Sequence, residues 1–379
     1  MLRIGLPPAL RQAPWALAAG ALALLAGCAG EVSKSPRVRT PEMVEADISA
    51  RLPAQLANRG AWASDLQLVL AALRIEPSES HICAVLAVTE QESTFRADPP
   101  VPKLGQLARD EIFKRADAAN VPAVAVRLAL QLNSPDGRSW DERIEAAKTE
   151  RELSVIYEQF TDQVPLGKRL LAGYNPVRTG GPMQVSIAYA EAHAKARPYP
   201  FPVHESIRGE VFSRRGGLYF GTAHLLDYEA PYGREMIYRF ADFNAGHYAS
   251  RNAAFQQAVS LASGRKLDLD GDLTLPGATT STPPGQTETA LRALSGALGL
   301  DAAQIRRELL RSEEPGFERS TLHGKVFALA EQRAGKKLPR AVLPRIELHS
   351  PKITRRLTTE WFARRVEERY QRCLQRNPG

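Results

Sequence analysis

Sulfur and indole are scarce in this chain: 379 residues hold three Cys, four Met and four Trp. The cysteines at 28, 83 and 373 and the seven histidines at 81, 193, 204, 224, 247, 323 and 349 fall at neither His-Glu-x-x-His nor Cys-His zinc spacing. No Gly-x-Ser-x-Gly elbow and no phosphate-cradling glycine loop is present. Asp268-Leu269-Asp270-Gly271-Asp272 breaks the EF-hand order and reads as a turn. No metal and no other cofactor is therefore expected. The apolar run from Trp15 to Leu25 falls short of the roughly 20 residues a spanning helix needs. A net charge of +8 is too mild to argue for nucleic acid, and it suits anionic wall polymer or lipid head groups.

The first residues have the marks of a processing signal. Arg3 and Arg11 precede the apolar run, which ends in Leu25-Ala26-Gly27-Cys28. This segment resembles a bacterial lipoprotein signal, which implies removal of residues 1–27 and acylation of Cys28. Ala29, in place of Asp, then favours the periplasmic face of the outer membrane. Processing deletes Arg3 and Arg11 and no acid, so +8 falls by two to +6. Cys83 and Cys373 remain, in an oxidising compartment that permits a disulfide between them. Two buried thiols are the alternative, because geometry decides.

Beyond a polar tether the pattern is helical. Residues 28–58 form that tether and a first helix, at 46–58. Helices are expected over 64–74, 81–93, 105–119, 121–133, 139–148, 150–162, 166–173, 184–196, 215–228, 232–243 and 248–262. The stretch 199–213 reads as a short hairpin or an extended loop. Pro276, Gly277, Pro283, Pro284 and Gly285 mark a linker at 274–287. Helices at 287–298, 301–311, 316–334 and 351–375 would make 288–379 a small helical unit. The last opens on Ser350-Pro351 and carries arginines opposite Phe362, Val366 and Tyr370, so its apolar face docks and its charges are solvated. The expected fold class is all-α.

Three stretches carry the chemistry. In Val85-Leu86-Ala87-Val88-Thr89-Glu90-Gln91-Glu92-Ser93, helical geometry sets Val85, Val88, Thr89 and Glu92 on one face and turns Glu90 away. Glu92 thus ends an apolar stripe beside the negative end of a helix, where both influences favour the protonated acid. A neutral carboxylic acid is what protonation of a glycosidic oxygen requires. The second stretch, Gly180-Gly181-Pro182-Met183-Gln184, combines tight turning with adaptable apolar and amide surface. The third runs from Gly217 to Leu226 and on to Phe243-Asn244-Ala245-Gly246, where a helix ends.

In this order, Glu92-Ser93, Gly181-Pro182-Met183-Gln184, the helix around 217–226 and Phe243-Asn244-Ala245-Gly246 resemble the lysozyme-like lytic transglycosylase family, of the soluble-lytic and goose-type lysozyme kind. The resemblance covers about residues 60–262. It implies a lysozyme-like catalytic domain over 59–273 and peptidoglycan glycan strands as the partner. Glu92 would protonate the oxygen between N-acetylmuramic acid and N-acetylglucosamine, then act as base toward the C6 hydroxyl to close an anhydro ring. Ser93, Met183, Gln184 and Asn244 would line the groove, with Phe243, Tyr189, Tyr219 and Tyr248 as sugar contacts. A hydrolytic muramidase would use the same Glu92, and a non-catalytic peptidoglycan-binding scaffold would keep only the fold. Three departures stand out: a helical insertion at 99–175, expected to wall the groove, Phe243 in place of Tyr, and Pro182 in place of Leu.

Overall fold

A computed structural model describes residues 39–163, 175–348 and 356–376 of the chain. The expected lipoprotein signal with Cys28, the helix expected at 166–173 and the Ser350-Pro351 start all lie outside those residues. The compact unit beginning at Pro41 is all-α apart from one two-stranded hairpin among the described residues.

The chain opens with α1 (Pro41–Arg51), α2 (Arg59–Leu73) and α3 (Glu79–Ser93). Helix α3 starts where the Ser78 hydroxyl accepts from the His81 N–H, with acidic Glu79 in the first turn. Its residues from Ile82 to Thr89 are buried all round, so it is the central rod of the domain. The segment expected to be an insertion follows as α4 (Leu104–Ala118), α5 (Ala123–Leu130), α6 (Trp140–Ala146) and α7 (Glu150–Gln163). A reciprocal cap between Ser139 and Glu142 fixes the start of α6. Arg208 fastens this group to the rest of the domain, donating to the Ser154 hydroxyl and the Val177 carbonyl.

Next come β1 (Thr179–Gly180), β2 (Val185–Ser186), α8 (Ile187–Ala196) and α9 (Ile207–Val211). The strands pair antiparallel, Thr179 opposite Ser186 and Gly180 opposite Val185. Of the two alternatives for 199–213, the loop holds up to 206 and a short helix follows from Ile207, while the hairpin that forms lies at 179–186. Helices α10 (Arg214–Leu226), α11 (Met236–Ala245) and α12 (Ala249–Ser263) complete the region. After a loop come α13 (Gln286–Ala293), α14 (Ser295–Leu298), α15 (Ala302–Leu309), α16 (Thr321–Ala334) and α17 (Thr359–Gln375).

Two apolar cores result. The first gathers side chains from α1 through α11 and takes in Phe362, Ala363, Val366, Tyr370 and Cys373 of α17. The second runs from Ala254 on α12 to Ala330 on α16. This corrects the reading of 288–379 as one separate unit. Helix α17 carries its apolar stripe back to α3 and α11, as an i, i+4, i+8 face must when the nearest unfilled apolar surface belongs to the other core. The helix begins at Thr359, capped by Thr358, later than 351. The tether assignment is corrected in part as well: the first helix starts at Pro41 rather than 46, and Val44, placed in the tether, is buried in the first core.

Candidate functional site

Helix α10 is the common floor of the three motif-bearing stretches: α3, β2 and α11 all pack against it. Its glycines make this possible. A Cβ at Gly217 would stand 2.3 Å from Pro182 Cδ, and one at Gly221 would stand 2.4 Å from Met183 Sδ. The turn Gly181–Gln184 is therefore seated directly on the helix backbone, across two glycines one helical turn apart. Gly181 has φ +74°, and a Cβ there would collide with the Val211 carbonyl oxygen.

Glu92 lies in the last turn of α3 and is half-buried. Its near neighbour Glu90 faces elsewhere, 3.7 Å from Arg369 and 3.6 Å from Arg372 of α17. The helix ends abruptly, because Thr94 (φ 51°) and Phe95 (φ 59°) both take the left-handed conformation. For a β-branched and an aromatic residue this conformation costs about 1–2 kcal/mol each. The Phe95 ring holds it in place, buried edge-on against Trp62 at 5.6 Å. Gln184 (φ 50°) and Tyr248 (φ 67°) are strained in the same sense. Left-handed non-glycine residues thus stand just after Ser93, at Gln184 and two positions past Gly246, as they also do at Asn58, Arg74, Lys103 and Asn120 elsewhere in the chain.

The residues expected to line a groove divide into two sets. Glu92, Gln184 and Phe243 are half-buried, and Asn244 is exposed. Ser93 and Met183 are buried, which corrects their assignment to the groove surface. The Ser93 hydroxyl donates to the Thr89 carbonyl and accepts from the Arg96 N–H, so it terminates the helix. Met183 fills the space above Gly221. Gln184 donates to the Gly181 carbonyl across its own turn. Asn244 accepts from the Thr359 hydroxyl at 3.5 Å, which turns its amide oxygen toward the start of α17.

A histidine cluster that spacing alone does not reveal lies on the α10–α11 side. The Tyr189 ring stands 4.6 Å from His224, 5.7 Å from His193 and 6.1 Å from His247. His224 Nε2 donates to the Phe243 carbonyl and His247 Nε2 donates to the His224 carbonyl. Burial pushes His224 down to about 3, with the neighbouring His247 adding to it, and burial lowers His193 and His247 too. Beside them, Asp242 accepts from Tyr232, Tyr228 and the backbone N–H groups of Tyr248 and Ser250. Burial nevertheless pushes its carboxyl up to about 6. These groups fix the end of α11, and so the placement of Phe243 and Asn244. Among the described residues no group of His, Cys, Asp or Glu is arranged to hold a metal.

The sulfurs of Cys83 and Cys373 are bonded, with their Cα atoms 5.5 Å apart. This resolves the alternative left open by sequence and ties α17 to the helix that bears Glu92. Arg51, buried between them, pairs with Asp47 and Glu79 and donates to the Cys373 carbonyl.

An all-α domain with this hairpin-on-glycine seat is what comparison with known proteins has to place. Residues 55–376 match the family described as "Protein of unknown function (DUF1615)", and the chain belongs to that family. It is 49% identical over 355 residues to "Uncharacterized protein YaiW" of Escherichia coli (strain K12), covering 93% of this chain and 96% of that protein. No solved structure matches.

Proposed function

We propose that the protein is a lipid-anchored lytic transglycosylase that cleaves the N-acetylmuramic acid–N-acetylglucosamine bond of peptidoglycan, with Glu92 as general acid and then base. The observation that carries this reading is the convergence of α3, the Gly181–Gln184 turn and α11 on the single floor of α10. A half-buried carboxyl at a helix end, on an apolar rod, is suited to hold and deliver a proton. One acid suffices where the substrate's own C6 hydroxyl is the nucleophile, which removes the need for the second carboxylate of a two-carboxylate glycosidase. The helical insertion then walls the groove, and the lipid on Cys28 holds the enzyme at the periplasmic face of the outer membrane.

Digestion of purified sacculi by residues 29–379, with products read by mass spectrometry, tests the proposal. Anhydro-muramyl ends support it, and reducing ends indicate a muramidase with the same acid. The engagement of Asn244 with Thr359 and the burial of Ser93 and Met183 favour a second reading, a glycan-binding scaffold without cleavage. Sacculi that stay intact yet retain the protein would establish that one.

A further inference from the structure

We propose that the helical insertion takes up the acyl chain of a membrane phospholipid, independently of any chemistry at Glu92. Helices α4 to α7, with Pro176, line a half-open apolar pocket of about 320 Å³. Its floor is Leu130, Trp140 and Ile156, and its rim includes Ile112, Val126 and Phe160. The volume lies at the lower end of the roughly 300–1,000 Å³ range of small-ligand pockets. The lining is almost wholly hydrocarbon, so a sugar or a peptide would lose its hydrogen bonds on entry, and only an apolar tail gains.

Helix α5 supplies the second observation. It reads Ala-Val-Ala-Val-Arg-Leu-Ala-Leu, and while Leu130 is buried, Val124 and Leu128 are 63% and 66% exposed. Val121 and Leu132 extend this exposed apolar strip at either end. A helix apolar on both faces and covered on one belongs at a partner surface or in lipid. Between Asp117 and Asp136 the one charged side chain is Arg127, a cation. An acid-free strip with a single arginine complements phosphate head groups over hydrocarbon, the combination found at a bilayer surface. The same short helix thus seats its outer face in the lipid and presents the cavity mouth behind it.

The test uses the full chain in vesicles of phosphatidylethanolamine and phosphatidylglycerol carrying a phospholipid with a diazirine in its acyl chain. Photolysis should label residues of the cavity, mapped by mass spectrometry. Ala129→Phe fills the cavity from its rim and should cut that labelling on the order of tenfold, with thermal melting unchanged or raised. The pair Val124→Asp and Leu128→Asp should cut it as well, by lifting α5 out of the lipid. Labelling that Ala129→Phe leaves unchanged would overturn the proposal. So would labelling by a diazirine fatty acid but not by the phospholipid. Absent labelling together with a self-association lost in the aspartate pair would instead make the strip an interface between copies.

Discussion

Cys83 and Cys373 stand 290 positions apart in the chain and are joined as a disulfide, so the last helix is stapled to the central rod that carries Glu92. The bond closes a very long loop, and long loops lose most conformational freedom in the unfolded chain when closed. Replacing both cysteines by alanine should lower stability by about 2–5 kcal/mol. Urea unfolding of wild type with and without reductant, beside the double variant, checks this. Equal stability in all three would remove the staple's role.

The seat of the hairpin predicts a coupled pair of substitutions. Gly221→Ala drives a methyl into Met183, whose Cβ as well as its sulfur is too close, and should cost about 1–3 kcal/mol. Met183→Ala removes the sulfur and Cγ but keeps the Cβ 2.7 Å away, so the double variant should be partly rescued, more stable than the sum of the singles predicts. Gly217→Ala meets the Val211 backbone oxygen and should find no such rescue. Additive losses at Gly221 and Met183 in denaturant titrations would contradict this packing.

Left-handed Thr94 offers a test in the stabilising direction. Asparagine tolerates that conformation better than a β-branched residue does, and it is accepted at helix C-terminal caps. Thr94→Asn should therefore raise stability by about 0.5–1 kcal/mol in urea titrations. A loss of that size would mean that the threonine side chain has a contact worth more than its strain.

The buried histidine sets a pH dependence. His224 titrates near 6.5 in the unfolded chain and near 3 when folded. Its contribution is complete above 6.5 and is lost as pH falls toward 3, since the unfolded chain takes the proton first. The full loss is on the order of 3–5 kcal/mol. Asp242 works the other way: its carboxyl, pushed up from 3.8 to about 6, favours the folded state more as pH falls through that window. His224→Leu should thus remove the His224 share of the acid loss, leaving His193, His247 and His323, which burial also lowers, acting against the Asp242 trend. Unfolding at about pH 7.5 and about pH 4.5 should show wild type losing more than the variant, and identical losses would place the acid sensitivity elsewhere.

The helices were legible in sequence because their apolar period is strong: expected 81–93 and 248–262 became 79–93 and 249–263. The hairpin at 179–186 was not, since two-residue strands carry no alternation to read. Ser93 and Met183 look like surface ligands in a motif and are buried in fact. The i, i+4 spacing of Gly217 and Gly221 was the available hint that something would lie flat on that helix. The return of α17 to the first core is a non-local pairing, and only Cys373 hinted at it. His193, His224 and His247 meet around Tyr189 through tertiary packing that no spacing encodes, and the strain at Thr94 and Phe95 is set by the Trp62 contact rather than by local preference.

Two carboxyls on one helix give the most direct test. Purified sacculi should be incubated with wild type, Glu92→Gln and Glu90→Gln, and the released muropeptides quantified. Glu92→Gln should cut release of anhydro products by about 10²–10⁴-fold with its melting temperature preserved. Glu90→Gln loses only partners on α17, so it should retain most of the activity. Undiminished cleavage by Glu92→Gln, or no cleavage by wild type, would contradict the assignment.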